Sequence, residues 1–326
     1  MTPDVTVCVP VYNAARTIAR LLEGLGRQAT ERPFEVVLVD DGSTDATPAL
    51  LASLPSGVRA VRQVNAGPAA ARNRAAREGR GAALLFTDSD CVPRPDWLER
   101  SMACLEAHPE AVAVGGSYDI ANPGSRLARL IHAEIMWRHA SLGTYVRFAG
   151  SYNFAVRRQA FEAVGGFSTR YRNASAEDND LSYRLLGLGR IVFCAESLVA
   201  HHHTERLGKY LKEQYLHGRW RAMLYREHPA MARGDDYTRW TDVADVPLSL
   251  GSLAAALLWP LSGGLGWAVL LGLGTLVGLK SVQGVQVSCY GAGAGAAGFA
   301  AVAAARAFAR SLGFAAGLTG ISRGRA

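Results

Sequence analysis

The chain has 326 residues, 49% hydrophobic and 19% charged, with a formal net charge of +7. That length allows one large domain or two modest ones, and the positive balance suits an anionic substrate or an anionic membrane surface. Five scattered cysteines without a CxxC pair exclude a disulfide framework or zinc site and fit a reducing compartment, and no recognition motif supports nucleic-acid binding. No basic segment followed by an apolar run opens the chain, so no signal peptide is expected.

Val5 to Val11 reads as a strand by propensity. Tyr12-Asn13 ends it, and Ile18, Leu21, Leu22 and Leu25 follow at helical spacing, with Asn13 as N-cap. Glu35 to Val39 is a second strand, ending in Asp40-Asp41-Gly42-Ser43-Thr44-Asp45 and a helix from Ala46 to Leu54. Val58 to Val64 is a third, followed by Asn65-Ala66-Gly67-Pro68 and a helix from Ala69 to Arg80. Ala82 to Phe86 is a fourth, all apolar, running into Thr87-Asp88-Ser89-Asp90. This alternation predicts an α/β, mostly parallel, doubly wound sheet. All four loops at the strands' carboxyl ends carry polar groups, where open α/β sheets place ligands. Asp88 and Asp90 lie at i and i+2, so on an extended chain both face one hard cation; a solvated turn is the alternative. No GxGxxG follows the first strand, so a dinucleotide fingerprint is missing.

Further on, Asp96 to His108 reads as a helix with Trp97, Met102 and Leu105 inward. Ala111 to Gly115 is a short strand, and Ser125 to His139 a helix with Leu127, Leu130, Ile131 and Ile135 on one face. Tyr145 to Val156 is extended, with Gly150 letting a backbone approach a ligand. Gln159 to Val164 is a short helix stopped by Gly165-Gly166, and another runs from Leu181 to Leu188. Glu205 to His228 is a long basic amphipathic helix suited to a membrane interface. Val246 to Leu279 has no charged residue and as one helix would be about 51 Å long, too long for a hydrocarbon core of about 30 Å. Gly263-Gly264 offers a point to split it. Ser281 to Ala305 is a second uncharged stretch, followed by Arg306, Arg310, Arg323 and Arg325. Basic flanks on both sides predict two spans, with the N-terminal part and the C-terminus cytoplasmic and Lys280 at or near the outer surface.

The ordered set Pro10-Val11-Tyr12-Asn13, Val39 to Asp45, Asn65-Ala66-Gly67 with Ala71-Arg72-Asn73, Thr87 to Asp90, Gly150 to Arg158, Gly165-Gly166-Phe167 and Glu177-Asp178-Asn179-Asp180-Leu181 resembles family 2 glycosyltransferases of GT-A fold. The resemblance covers about residues 4 to 220. It implies a GT-A, Rossmann-like sheet with a C-terminal hydrophobic helical membrane segment. The layout expected is a catalytic domain at 1–204 (donor half about 1–92, acceptor half about 93–204), an interfacial helix and linker at 205–245, and membrane helices at 246–326.

By the same resemblance Pro10 and Tyr12 line the nucleotide base and Asp41 reads its edge, while Asn65 and Arg72 contact donor phosphate or sugar; a solvated helix face explains Arg72 equally well. Asp88 faces the donor sugar or ribose and Asp90 is the direct ligand of Mg²⁺ or Mn²⁺; hard oxygen ligands suit both. In the run His201-His202-His203 one residue, His201 or His203, can complete the metal shell. Asp178 is the general base, with Gly150, Asn153, Glu177 and Arg219 near acceptor or diphosphate. Dipole complementarity at a helix start explains Glu177 and Asp180 equally well, and turn formation or capping explains Asp40 and Asp45. Gln214 and Arg219-Trp220 depart in spacing from the Gln-x-x-Arg-Trp motif of processive members, which argues against processive polymerisation.

The expected function is inverting transfer of a sugar from a nucleotide-diphosphate donor to a saccharide or lipid-linked acceptor, in envelope glycan or glycolipid synthesis at the cell membrane. The alternatives are a metal-dependent nucleotidyltransferase and a non-catalytic nucleotide-sugar-binding membrane protein.

Overall fold

The computed structural model of the chain describes residues 2–171, 176–262, 264–291 and 295–321. These form two compact units, Met1–Ala121 with Leu142–His202, and Asn122–Ser141 with His203–Ala326. In chain order the first unit contains β1 (Val5–Val11), α1 (Ile18–Gly26), β2 (Phe34–Asp40), α2 (Thr47–Leu50), β3 (Val58–Arg62), α3 (Pro68–Glu78), β4 (Ala83–Thr87), β5 (Cys91–Pro93), α4 (Trp97–Ala107) and β6 (Ala111–Ile120). After α5 (Arg126–His139), which belongs to the second unit, come β7 (Tyr145–Val146), β8 (Asn153–Arg157), α6 (Arg158–Ala163), α7 (Glu177–Leu185) and β9 (Arg190–His201).

The strands form one sheet in the order β3-β2-β1-β4-β8-β6-β9-β5, with β7 added to β9. The pairs β3/β2, β2/β1, β1/β4 and β6/β9 are parallel, whereas β8 runs antiparallel to β4 and β6. Alternate residues of each central strand feed opposite faces, as a pleat of period two requires. Val36, Leu38 and Leu85 pack on one side with Ile18, Leu21, Trp97 and Leu105 of α1 and α4. Val37, Val39, Leu84 and Phe86 pack on the other with Ala69, Ala75, Phe161 and Leu181 of α3, α6 and α7. This two-sided burial explains why the β4 sequence is an unbroken apolar run.

Three local expectations change. Asn13 does not cap α1, which starts at Ile18; it takes φ of 48°, and its Oδ1 accepts the Thr44 and Asp45 N–H groups at 2.8 and 3.3 Å. The helix expected over 46–54 stops at Leu50. Strands β5 and β9 are unforeseen. β5 is three residues long and ends in proline, and β9 is interrupted by a bulge at Ala195-Glu196-Ser197 that hides its periodicity.

The second unit is helical: α5, α8 (Leu207–Glu227), α9 (Trp240–Leu258), α10 (Leu265–Ser288) and α11 (Gly295–Ile321). The buried face of α5 is not purely apolar: Leu130, Ala133 and Trp137 are covered together with Glu134 and Arg138. Arg138 pairs with Glu134 and Asp242, both at 2.7 Å, and Arg306 Nη2 donates to Glu134 at 2.9 Å. Burial pushes the Glu134 carboxyl up, but Arg306 and Arg138 hold it down to about 2.

The apolar tail also differs from expectation. α9 begins ahead of Val246 and takes in Asp242 and Asp245, and α10 continues through Lys280. Lys280, expected in a break between two stretches, therefore lies inside α10. It is fully buried, 2.7 Å from Asp245, because a lone ammonium inside a helix pair requires a counter-charge. Among the described residues three helices, over 240–261, 265–288 and 295–320, are long and apolar enough to cross a membrane, against the two stretches expected. The first break falls at the 3₁₀ turn Trp259–Leu261 and Gly264. Gly263, part of the expected split, and Arg323 and Arg325 lie outside the described residues.

Candidate active site

Parallel pairing brings the carboxyl ends of β1, β2, β3 and β4 to one edge of the sheet. β6 and β9 also finish there, which delivers His201. The loops at this edge hold one another. Val11 carbonyl accepts the Asp41 N–H at 2.8 Å, and Asp40 accepts the Ser43 N–H at 2.9 Å. Asp45 accepts from the Thr47 and Ala15 N–H groups. Asp40 and Asp45 accordingly shape turns at this edge.

Pro10 is half-buried at the end of β1 and Tyr12 is 52% exposed beside it. Asp41 is buried; its carboxylate accepts from Gln63 Nε2 at 2.7 Å and from the Ala66 and Gly67 N–H groups at 2.9 Å each. Three donors from the neighbouring loop engage both oxygens, so in this structure Asp41 shapes that loop. Asn65 is exposed and donates to the Asp41 carbonyl at 2.9 Å.

Arg72 is the centre of the site. It is 2% exposed, at helical spacing with the buried Ala69 and Ala76 of α3. Its Nη2 donates to Asp88 at 2.7 Å and its Nη1 to Glu177 at 2.9 Å, and its guanidinium lies 5.4 Å from the centre of the Phe167 ring. Burial alone would lower its pKa, but Asp88 and Glu177 more than offset that and raise it. Glu177 is 2% exposed; its other oxygen accepts the Ala176 N–H at 3.1 Å. This buried bridge joins the end of β4 to the start of α7. Asp178 follows Glu177 in the first turn of α7, partly exposed, with Oδ1 accepting the Asn179 N–H at 2.9 Å. Asp180 points elsewhere and pairs with Arg184 at 2.6 Å.

At the other end of the acidic loop, Cys91 sits opposite His201 in the β5/β9 ladder. That register sets His201 Nε2 3.5 Å from Asp90 Oδ2, and the His202 N–H donates to the Asp90 carbonyl at 3.0 Å. Asp90, Cys91 and His201 offer ligand atoms within 4.8 Å of one another. Desolvation works to raise the Asp90 carboxyl; His201 and His202 more than offset it and hold the group below the usual range. Burial and the adjacent Asp90 and Asp88 push the Cys91 thiol well up, so it stays a neutral thiol. Carboxylate and imidazole remain, a donor set that fits Mn²⁺ better than Mg²⁺, which takes oxygen ligands. The Cys91 N–H also donates to the Asp88 carbonyl at 3.0 Å. The segment is therefore a turn as well as a candidate site. His203 belongs to the helical unit, beside His132.

Asn153 and Gly150, both expected near the acceptor or diphosphate, have close structural contacts of their own. Asn153 is 1% exposed and fully engaged: its amide donates to the Ser117 and Ser197 carbonyls and its oxygen accepts from Trp97 Nε1 at 2.8 Å. It ties β8, β6, β9 and α4 together. Replacing Asn153 by Ala strands these buried groups, so the melting transition should fall by the equivalent of roughly 3 kcal/mol. Donor affinity of the folded fraction should be retained. Gly150 leaves room for the Tyr152 ring, which a Cβ there would meet at 2.2 Å. Arg219 is exposed on α8 of the helical unit, and Gln214 accepts from Arg310 at 2.7 Å.

Residues 6–172 match the family described as Glycosyl transferase family 2. The chain belongs to this family. It is 36% identical over 167 residues to the succinoglycan biosynthesis protein ExoO of Rhizobium meliloti, covering 49% of this chain and 48% of that one. It is 28% identical over 224 residues to glycosyltransferase AglE of Haloferax volcanii, covering 67% and 72%. The chain thus spans about half the length of ExoO. Among solved structures it is similar to the mannosyltransferase PcManGT from Pyrobaculum calidifontis, in complex with GDP-Man and Mn²⁺, with TM-score 0.57 and 21% identity, covering 94% of this chain and 86% of that one. At that identity the likeness carries the fold, an α/β GT-A-like sheet followed by long apolar helices. Within glycosyltransferase family 2, then, this chain ties its acidic loop to the Glu177-Asp178 pair through one buried arginine.

Proposed function

We propose that the chain is a membrane-anchored inverting glycosyltransferase that moves a sugar from a nucleotide-diphosphate donor to a saccharide or lipid-linked acceptor, in envelope glycan or glycolipid synthesis. The observation that carries this reading is the Arg72 bridge between Asp88 and Glu177. Asp178, the neighbour of Glu177 in the first turn of α7, then shares a frame with the acidic loop that would receive the donor. The names of ExoO and AglE, a succinoglycan biosynthesis protein and a glycosyltransferase, support glycan assembly as the setting.

In this reading Pro10 and Tyr12 flank the nucleotide base. Asp90 and His201, with Asp88 beside them, would hold a divalent metal, which supplies neutralisation of the diphosphate leaving group. Asp178 takes the proton from the acceptor hydroxyl. The acceptor oxygen bonds to the anomeric carbon from the face opposite the diphosphate, the carbon–oxygen bond to the diphosphate breaks, and a nucleoside diphosphate leaves. One base suffices, and no covalent enzyme intermediate forms. The apolar C-terminal helices would hold the enzyme at the membrane.

Thermal unfolding in a panel of nucleotide sugars with Mn²⁺ tests the donor half. At a donor concentration of about 100 times Kd the native state should gain about 2.7 kcal/mol. The gain should vanish on removing the metal or in Asp90→Ala. A stabilisation of equal size without metal would refute the assignment of Asp90.

A further inference from the structure

We infer that α9 and α10 alone cross the bilayer, as a helical hairpin, and that α11 lies with α8 along the membrane surface although it is long and apolar enough to span. This rests on membrane anchoring as proposed above and adds which helices provide it.

The hairpin is defined by contacts within the helical unit. Asp245 meets Lys280 at 2.7 Å, Gly272 faces the Ser252 hydroxyl, and Gly266 faces the Trp259 ring. The two helices therefore run antiparallel in continuous register. No charged residue lies between Asp245 and Lys280 in the sequence, and those two neutralise one another in the interior. The outward side chains are apolar: Leu257 and Leu261 are 80% and 82% exposed, as are most of Leu270 and Leu271. Tryptophans stand at both ends, Trp240 at the start of α9 and Trp259 and Trp267 around the turn, all half-exposed or more. From Trp240 to Trp259 the helical rise is about 28 Å. That matches a hydrocarbon core of about 30 Å with aromatic residues at its two interfaces.

α11 has different surroundings. Arg306 and Arg310 sit near its middle. Arg306 reaches Glu134 of α5 and the Tyr210 hydroxyl of α8, and Arg310 donates to Gln214 of α8. Farther along, Gly313 faces the Tyr215 carbonyl and Gly317 the Arg219 carbonyl. The positions advance together on both helices, so α11 and α8 run side by side in parallel, nearly backbone to backbone. α8 carries Lys212, Arg219 and Arg226, all exposed and seven residues apart, on one face. This stripe is about 21 Å long. Carrying α11 across the bilayer would draw the stripe through hydrocarbon, whereas at the surface it meets anionic headgroups and water. Residues before Trp240 and those of α11 then share one side, and the α9–α10 turn faces the other.

The test uses the full chain in sealed membrane vesicles of known orientation, with one epitope before Met1 and another after Ala326, and a Ser262→Cys substitution in a Cys289→Ser background. Both epitopes should be cut by added protease from the same face. Ser262→Cys should react with a membrane-impermeant maleimide from the opposite face, with at least about a tenfold preference. Epitopes on opposite faces would mean that α11 crosses, and Ser262→Cys reacting from the epitopes' face would mean that the hairpin does not; either overturns the inference. Release of the chain by alkaline carbonate would overturn membrane anchoring itself. Neither readout depends on sugar transfer.

Discussion

Asp178→Asn should lower sugar transfer by about 10² to 10⁴-fold, the contribution expected of a positioned general base. The substitution keeps the shape of the side chain and its place in the first turn of α7, where Oδ1 accepts the Asn179 N–H. Glu177, its neighbour, keeps both hydrogen bonds to Arg72 and Ala176. The donor Kd and the melting temperature should therefore change little, and kcat should carry the loss. Single-turnover measurements with radiolabelled donor separate the two. Near-normal turnover would remove Asp178 from the mechanism.

Arg72→Met should have the largest effect on stability. It leaves Glu177, 2% exposed, as a buried carboxylate without its counter-ion, a change that typically costs about 3–5 kcal/mol. For a unit of this size that corresponds to a melting temperature lower by roughly 10 °C. It also frees Asp88 from its 2.7 Å contact, so donor affinity should fall with it. Arg72→Lys keeps the charge but cannot reach two carboxylates in a fork, and should fall between the two. The double variant Arg72→Met with Glu177→Gln removes the stranded charge. It should recover most of the stability and little of the transfer, which separates the packing role from the positioning one.

Much of this arrangement is legible in the residues. The alternation of apolar strands and helices fixes the parallel half of the sheet, and polar loops after β1, β2, β3 and β4 mark the functional edge. Asp88 and Asp90 stand out as acids at the end of an apolar strand, where open α/β sheets place ligands, and Asp178 through the resemblance of its Glu-Asp motif. The antiparallel half is harder to read: β5 is too short to show a period, and the bulge in β9 breaks its alternation. Without that ladder nothing brings His201 to Asp90, and the run of three histidines remains ambiguous. Arg72 carries a signal that is easy to pass over. It falls on the face of α3 occupied by Ala69 and Ala76, where a solvent-facing arginine would not be. Asn153 misleads for the opposite reason: a polar residue inside a ligand-binding motif is here a buried link among strands and α4. In the helical unit, Lys280 reads as a surface residue because its partner, Asp245, is 35 positions away.

Transfer through the single base Asp178 should invert the anomeric carbon. The most direct measurement is proton NMR of the reaction mixture formed by the full-length enzyme in lipid nanodiscs, with Mn²⁺, a stabilising nucleotide sugar and an acceptor. Nucleoside diphosphate should appear as the coproduct, with a glycoside whose anomeric configuration is opposite to that of the donor. A retained configuration, or pyrophosphate in place of nucleoside diphosphate, would contradict it.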